Sequence, residues 1–181
     1  MRNTVALGGL GGTQYYLRST VDGVIYQTIV DDFVASIGGS AGIIAPYNNS
    51  TLLLNNRFFI GGDTLRGFRV GGIGPRDANT TDSLGGKYYY TGTAELSFPL
   101  GLPKEIGILG KAFFDVGSLW GSADDPSTVD VLDSQLMRMS GGFGIQWISP
   151  FGPIRVDYAI PIQKEYWDKT ENFRFSFGTR F

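Results

Sequence analysis

The 181-residue sequence contains no cysteine and no histidine. Thiol chemistry, imidazole catalysis and the usual zinc sites are thereby excluded, and the lack of cysteine fits an oxidising compartment. Charge is sparse as well, at 18% of residues against roughly 25% in soluble globular proteins. Lysine and arginine (15) nearly balance aspartate and glutamate (17), and the net charge of −2 argues against non-specific binding of nucleic acid. No run approaches the roughly 18 apolar residues of a membrane helix. No apolar signal-peptide core follows Met1, so the chain reads as beginning inside a longer protein or as an expressed piece of one.

What is abundant is glycine (27), phenylalanine (13) and tyrosine (9). That mixture suits strands with close backbone approaches. The C-terminal part alternates with a period of two, which places successive side chains on opposite faces of a strand. Phe173, Phe175, Phe177, Thr179 and Phe181 share one face, and Arg174, Ser176, Gly178 and Arg180 the other. Ile154, Val156, Tyr158 and Ile160 oppose Arg155, Asp157 and Ala159; Met139, Gly141, Phe143, Ile145 and Trp147 oppose Arg138, Ser140, Gly142, Gly144 and Gln146. Further upstream, Ala112, Phe114 and Val116 oppose Lys111, Phe113 and Asp115, and Tyr90, Ala94 and Leu96 oppose Thr91, Thr93 and Glu95. Thr4–Leu10, Tyr15–Ile29 and Phe33–Ala45 complete about eight strands, joined as antiparallel neighbours.

The connections differ in length. Val30–Asp32, Pro99–Glu105 and Ser149–Gly152 are short, whereas 46–86, 121–136 and 164–171 are longer. The first hairpin, near 11–14, is short on the long side. Short turns at one end and longer loops at the other fit a transmembrane β-barrel with lipid outside and a polar lumen inside. A soluble antiparallel sandwich would show the same alternation, with the apolar face as its core. The loop asymmetry, the terminal Phe181 and the placement of the aromatics favour the barrel.

The longest connection, 46–86, exceeds the roughly 12–15 residues usual for a structureless loop. It carries Arg66 among apolar Leu65 and Phe68, beside a permissive Gly67. Glu95 and Asp115 fall on the inward faces of adjacent strands and offer a seat for Arg66, which can bind carboxylates bidentately and stack on Phe113. Inward Gly142 and Gly144 leave a smooth wall where another backbone could lie close. Arg155 and Asp157 read as lumen-lining charges, and Trp120, Trp147 and Trp167 as interface-belt aromatics. Gly61–Gly62 and Gly71–Gly72 lack the Gly-Lys-Ser/Thr that would make a phosphate loop.

Leu65-Arg66-Gly67-Phe68 resembles the loop motif of the BamA family of outer-membrane assembly barrels. Phe113-Phe114-Asp115-Val116-Gly117 is similar to that family's Phe-x-Asp-x-Gly strand, Ser140–Pro161 to its penultimate hairpin, and Asn172–Phe181 to its terminal strand. The resemblance runs from about Arg57 to Phe181. It implies a β-signal and seam at Phe173, Phe175, Phe177, Gly178 and Phe181, and a loop lock at Arg66, Gly67, Phe68, Glu95, Asp115 and Phe113. It also implies a sixteen-stranded barrel preceded by POTRA domains, of which residues 1–181 would be the C-terminal half without POTRA domains. The expected function is assembly and insertion of outer-membrane β-barrel proteins in the bacterial outer membrane, with no enzyme chemistry and no cofactor. Expected partners are outer-membrane lipids, unfolded barrel substrates and accessory lipoproteins contacted through POTRA domains, and no nucleic acid. Alternatives are a secretion translocase or TamA-like factor on the same fold, or a passive porin or surface antigen. No nucleophile–base pair supports a barrel-embedded lipase or protease.

Overall fold

The computed structural model describes residues 2–6, 15–30, 32–48, 50–124, 129–149 and 152–178. The expected first hairpin near 11–14, and Thr179, Arg180 and Phe181, lie outside these residues.

Eight strands form one sheet: β1 (Arg2–Ala6), β2 (Tyr16–Val30), β3 (Phe33–Pro46), β4 (Tyr88–Pro99), β5 (Ile108–Trp120), β6 (Arg138–Ser149), β7 (Gly152–Gln163) and β8 (Phe173–Phe177). Each pairs antiparallel with its sequence neighbour, and their spatial order is their chain order. Among the described residues β1 and β8 do not pair with each other, so the sheet is an open arc of barrel wall rather than a closed barrel. No helix in these residues is long and apolar enough to cross a membrane.

The alternation places the apolar residues outward. Ile37, Phe143, Ile145, Ile160, Ile162, Phe173, Phe175 and Phe177 are all exposed. The buried side of the same strands carries Lys111, Asp115, Arg138, Ser140 and Asp157. A sandwich would bury the apolar face and hydrate the polar one; here the burial is inverted, as in a barrel whose outer face meets lipid.

The apolar core lies under the longest loop. Ile44, Leu52, Phe58, Ile60, Leu65, Phe68, Ile73 and Leu119 form one buried cluster, and all but Ile44 and Leu119 come from the connection between β3 and β4. That connection is structured by a 3-10 turn at Leu54–Asn56 and by two short ladders. Gly67–Phe68 pairs with Thr170–Glu171, and Arg76–Asp77 with Val131–Leu132. The three long loops are thus stitched to one another by backbone hydrogen bonds, which satisfies polar groups that a buried loop would otherwise strand. Gly61 permits the tightest crossing: its φ is +127°, and a Cβ there would fall 1.9 Å from the Arg69 carbonyl oxygen.

Backbone and side chains both lie close at Gly142 and Gly144. A Cβ on Gly142 would fall 2.2 Å from the Tyr158 carbonyl oxygen and 2.7 Å from Phe113 Cζ, and one on Gly144 2.1 Å from Asp157 Oδ1 and 2.7 Å from the Val156 carbonyl oxygen. The backbone that lies close there belongs to the adjacent strand β7. The loop backbone approaches further along, where Gly67 faces Ser140 and Ala159.

Candidate functional site

Register sets the site. On the inner face, Thr93 of β4 lies across from Asp115 of β5, and Asp115 across from Ser140 of β6. One row along, Glu95 faces Phe113, and Phe113 faces Gly142. Two rows of a pleated sheet thereby present two carboxylates, two hydroxyls and one ring to the same patch of lumen. Gly142 leaves room for the Phe113 ring to lie flat.

Arg66 reaches this patch from the loop. Its Nε and Nη2 donate to Asp115 Oδ2 and Oδ1, each at 2.8 Å. Nη1 donates to Glu95 Oε2 at 2.7 Å, and Nη2 also donates to Thr93 Oγ1 at 3.0 Å. Thr93 passes a hydrogen bond on to Asp115. The guanidinium carbon sits 3.4 Å from the centroid of the Phe113 ring. The backbone joins in: Arg66 N–H donates to Asp115 Oδ2 (3.1 Å), and Ser140 Oγ donates to the Arg66 carbonyl (2.5 Å). The second oxygen of Glu95 takes Lys111 Nζ at 2.5 Å. This is a bidentate, ring-stacked arrangement that a lysine could not copy. Burial acts to lower the Arg66 pKa, but the hydrogen bonds and charges of Asp115 and Glu95 outweigh it and raise the pKa above its ordinary value. Arg66 is a permanent cation in a largely buried site. It offers no proton for chemistry, and among the described residues no group of three or more acidic side chains could hold a metal ion.

Gly67 and Phe68 serve the same placement. Gly67 has φ +90° and lies against Ser140, while Phe68 enters the apolar cluster. A cavity of about 360 Å³ opens beside the guanidinium, lined by Arg155, Asp157, Ser36, Ser40 and Tyr26 among others. The terminal-strand residues are elsewhere. Phe173, Phe175 and Phe177 project outward, and Gly178 N–H donates to the Pro153 carbonyl at 2.9 Å. β8 pairs only with β7 among the described residues, so its other edge lacks a partner there. Of the tryptophans, Trp147 is on the outer face and donates Nε1–H to the Ile106 carbonyl. Trp120 packs with Tyr88 and Tyr90, and Trp167 edges onto Tyr166 with its Nε1 buried and unpartnered.

Further ion pairs fix the loops, and sequence reasoning did not find them. Arg57 donates to Asp124 Oδ2 and Oδ1 at 2.5 and 2.8 Å and to the carbonyls of Leu52 and Leu84. Arg138 meets Asp168 at 3.0 Å, with both side chains 0% exposed. Arg174 meets Asp63 at 2.5 Å. One signal was present for the first: Arg57 is a loop arginine followed directly by Phe58, as Arg66 is followed two residues on by Phe68. Arg57 also sets a pH response. Its hydrogen bond lowers the Asp124 pKa; burial opposes this, and its charge adds to the lowering. A carboxyl with a depressed folded pKa contributes stability that is full above its unfolded value, near 3.9, and lost as pH falls through the folded value. Protease nicking within 46–86 is therefore expected to be unchanged from pH 7 to about 5 and to increase below pH 4. In Asp124→Asn that acid step should shrink.

An Omp85 superfamily domain profile matches residues 1–181. The chain is 38% identical to the outer membrane protein assembly factor BamA of Neorickettsia risticii over 174 residues, 96% of this chain and 23% of the relative. It is 27% identical to BamA of Neisseria meningitidis serogroup B, covering 94% of this chain and 24% of the relative. The chain thus spans about a quarter of the length of these curated relatives. The crystal structure of BamA from Haemophilus ducreyi lacking POTRA domains 1–3 superposes with a TM-score of 0.79 at 24% identity. That superposition covers 96% of this chain and 36% of the other, and the likeness extends to the fold.

Proposed function

The chain belongs to the Omp85 superfamily, and from that premise we propose that it is the C-terminal barrel region of an outer-membrane factor that helps other β-barrel proteins fold and insert. It resides in the bacterial outer membrane and works without covalent chemistry or a cofactor. The loop between β3 and β4 braces the lumen, and β8 offers the strand edge at which a substrate strand pairs through free backbone groups. The observation that carries this reading is the Arg66 constellation. A loop held to the wall by four guanidinium hydrogen bonds and a stacked ring fixes the barrel's shape and occupies the lumen that a passive porin would leave open. Aromatic Phe173, Phe175 and Phe177 set how firmly β8 sits in lipid. The rest of the barrel, POTRA domains and the accessory lipoproteins that they recruit complete the machine.

The test is reconstitution. The full-length protein, in liposomes, should speed insertion of a urea-unfolded outer-membrane barrel over protein-free liposomes, read by the gel shift of the folded substrate. Equal rates with and without the protein would refute the assignment. Steady single-channel current of porin size would point to the passive alternative.

A further inference from the structure

The terminal strand is tied to the loop through Arg174 and Ser176, and a further carboxylate stands across the ladder from that arginine. Asp63 stands in the loop turn three residues before Arg66. Its Oδ1 accepts from Arg174 Nε at 2.5 Å and from Ser176 Oγ at 3.0 Å, both on the inner face of β8. Arg174 Nη1 also meets Glu171 at 3.3 Å. Gly62 packs this turn closely, since a Cβ there would fall 2.7 Å from Val70 Cγ2 and 3.0 Å from Arg174 Nη2. The loop is therefore a strut with one foot on β4 and β5 through Arg66 and the other on β8 through Asp63.

Asp157 lies directly across the ladder from Arg174, at a spacing of about 5 Å between Cβ atoms. It is only 6% exposed, and its Oδ1 has no hydrogen-bond partner. Other lumen carboxylates are engaged: Asp115 by Arg66, and Glu95 by Arg66 and Lys111. A buried carboxylate oxygen without a partner is costly, and the arginine paired with it in register bonds the loop instead.

We infer that Arg174 is a two-seat switch: it sits on Asp63 while the loop braces β8, and moves to Asp157 when the loop withdraws. The exchange keeps the lumen face of β8 neutralised while cutting the strand's tie to the loop. It supplies the step by which an edge strand held by the brace becomes free to pair with a substrate. The inference rests on the reading of the loop as a brace.

Hydrogen exchange of the β8 amides, residues 173–177, tests it in the full-length protein in lipid nanodiscs. Asp63→Asn should raise their exchange about tenfold, because it takes the carboxylate charge from both the Arg174 and the Ser176 hydrogen bonds. Ser176→Ala, which deletes only the hydroxyl bond and leaves the Arg174 ion pair, should raise it less. Asp157→Asn alone should leave exchange unchanged, because that seat is empty while the loop is docked. Asp63→Asn with Asp157→Asn should exceed Asp63→Asn alone by about threefold or more, since Arg174 then keeps only the exposed Glu171. Unchanged β8 exchange in Asp63→Asn or in Ser176→Ala overturns the inference. So does an Asp157→Asn effect equal to that of Asp63→Asn, or a double variant no different from Asp63→Asn. These readouts use no insertion activity, so their failure leaves the reconstitution result standing, and failure of reconstitution leaves them interpretable.

Discussion

Arg66→Ala is expected to release the loop and to slow insertion by at least about tenfold, through loss of the competent state. The substitution strands Asp115 and Glu95, whose carboxylates, among the described residues, keep only Thr93 and Lys111 as side-chain donors. Breaking a buried pair from one side costs about 3–5 kcal/mol. The polar cavity beside the site admits solvent screening that offsets part of that, so about 3 kcal/mol is expected here, which shifts the docked loop by on the order of a hundredfold. Arg66→Lys should recover little. It restores charge, but a single ammonium cannot span both carboxylates and stack on Phe113. Protease susceptibility of residues 46–86 reads the loop, and the liposome assay reads insertion. Full protection of the loop in Arg66→Ala would show that the apolar cluster alone holds it.

The second large effect is structural. Arg138→Ala should lower the stability of the folded state by about 3–5 kcal/mol, the cost of an uncompensated buried charge. Arg138 and Asp168 are both wholly buried, and Arg138 also serves the carbonyls of Ser134 and Leu136. Asp168 in turn caps the turn at Glu165 N–H. One substitution thus loosens two long loops at their roots. Heat-modifiability of the full-length protein on gels should move to a clearly lower temperature. An unchanged transition would mean that the pair only balances its own desolvation. Arg66→Ala is expected to affect insertion more than the melting transition, and Arg138→Ala the reverse.

These two sites differ in how far the sequence discloses them. Glu95 and Asp115 lie in regular strands, so parity alone places them on one face and chain order places their strands side by side. Arg66 stands out because a solvated loop does not need an arginine between Leu65 and Phe68. The outer aromatics of β6 and β8 are legible for the same reason of period two. Arg57, Arg76 and Arg138 pair with groups on loops that have no period, so nothing in the pattern names Asp124, the Gly71 carbonyl or Asp168 as partners. The apolar core was hidden likewise. Leu52, Phe58, Ile60 and Ile73 are scattered through a glycine-rich loop, and only its folding over the end of the sheet brings them to Ile44 and Leu119. A glycine in a strand shows that something lies close but not what it is, and at Gly142 it is both the Tyr158 carbonyl and the Phe113 ring.

The most direct test of the brace is a double-mutant cycle on insertion rate in the full-length protein: wild type, Arg66→Ala, Asp115→Ala, and both together. If the two residues act as one contact between loop and wall, each single variant loses activity, and the double variant is no worse than the poorer single one. Additive losses, with the double variant slower by the product of the two single factors, would contradict the account. Arg66 and Asp115 would then contribute independently, and the loop would not work as a brace on that wall.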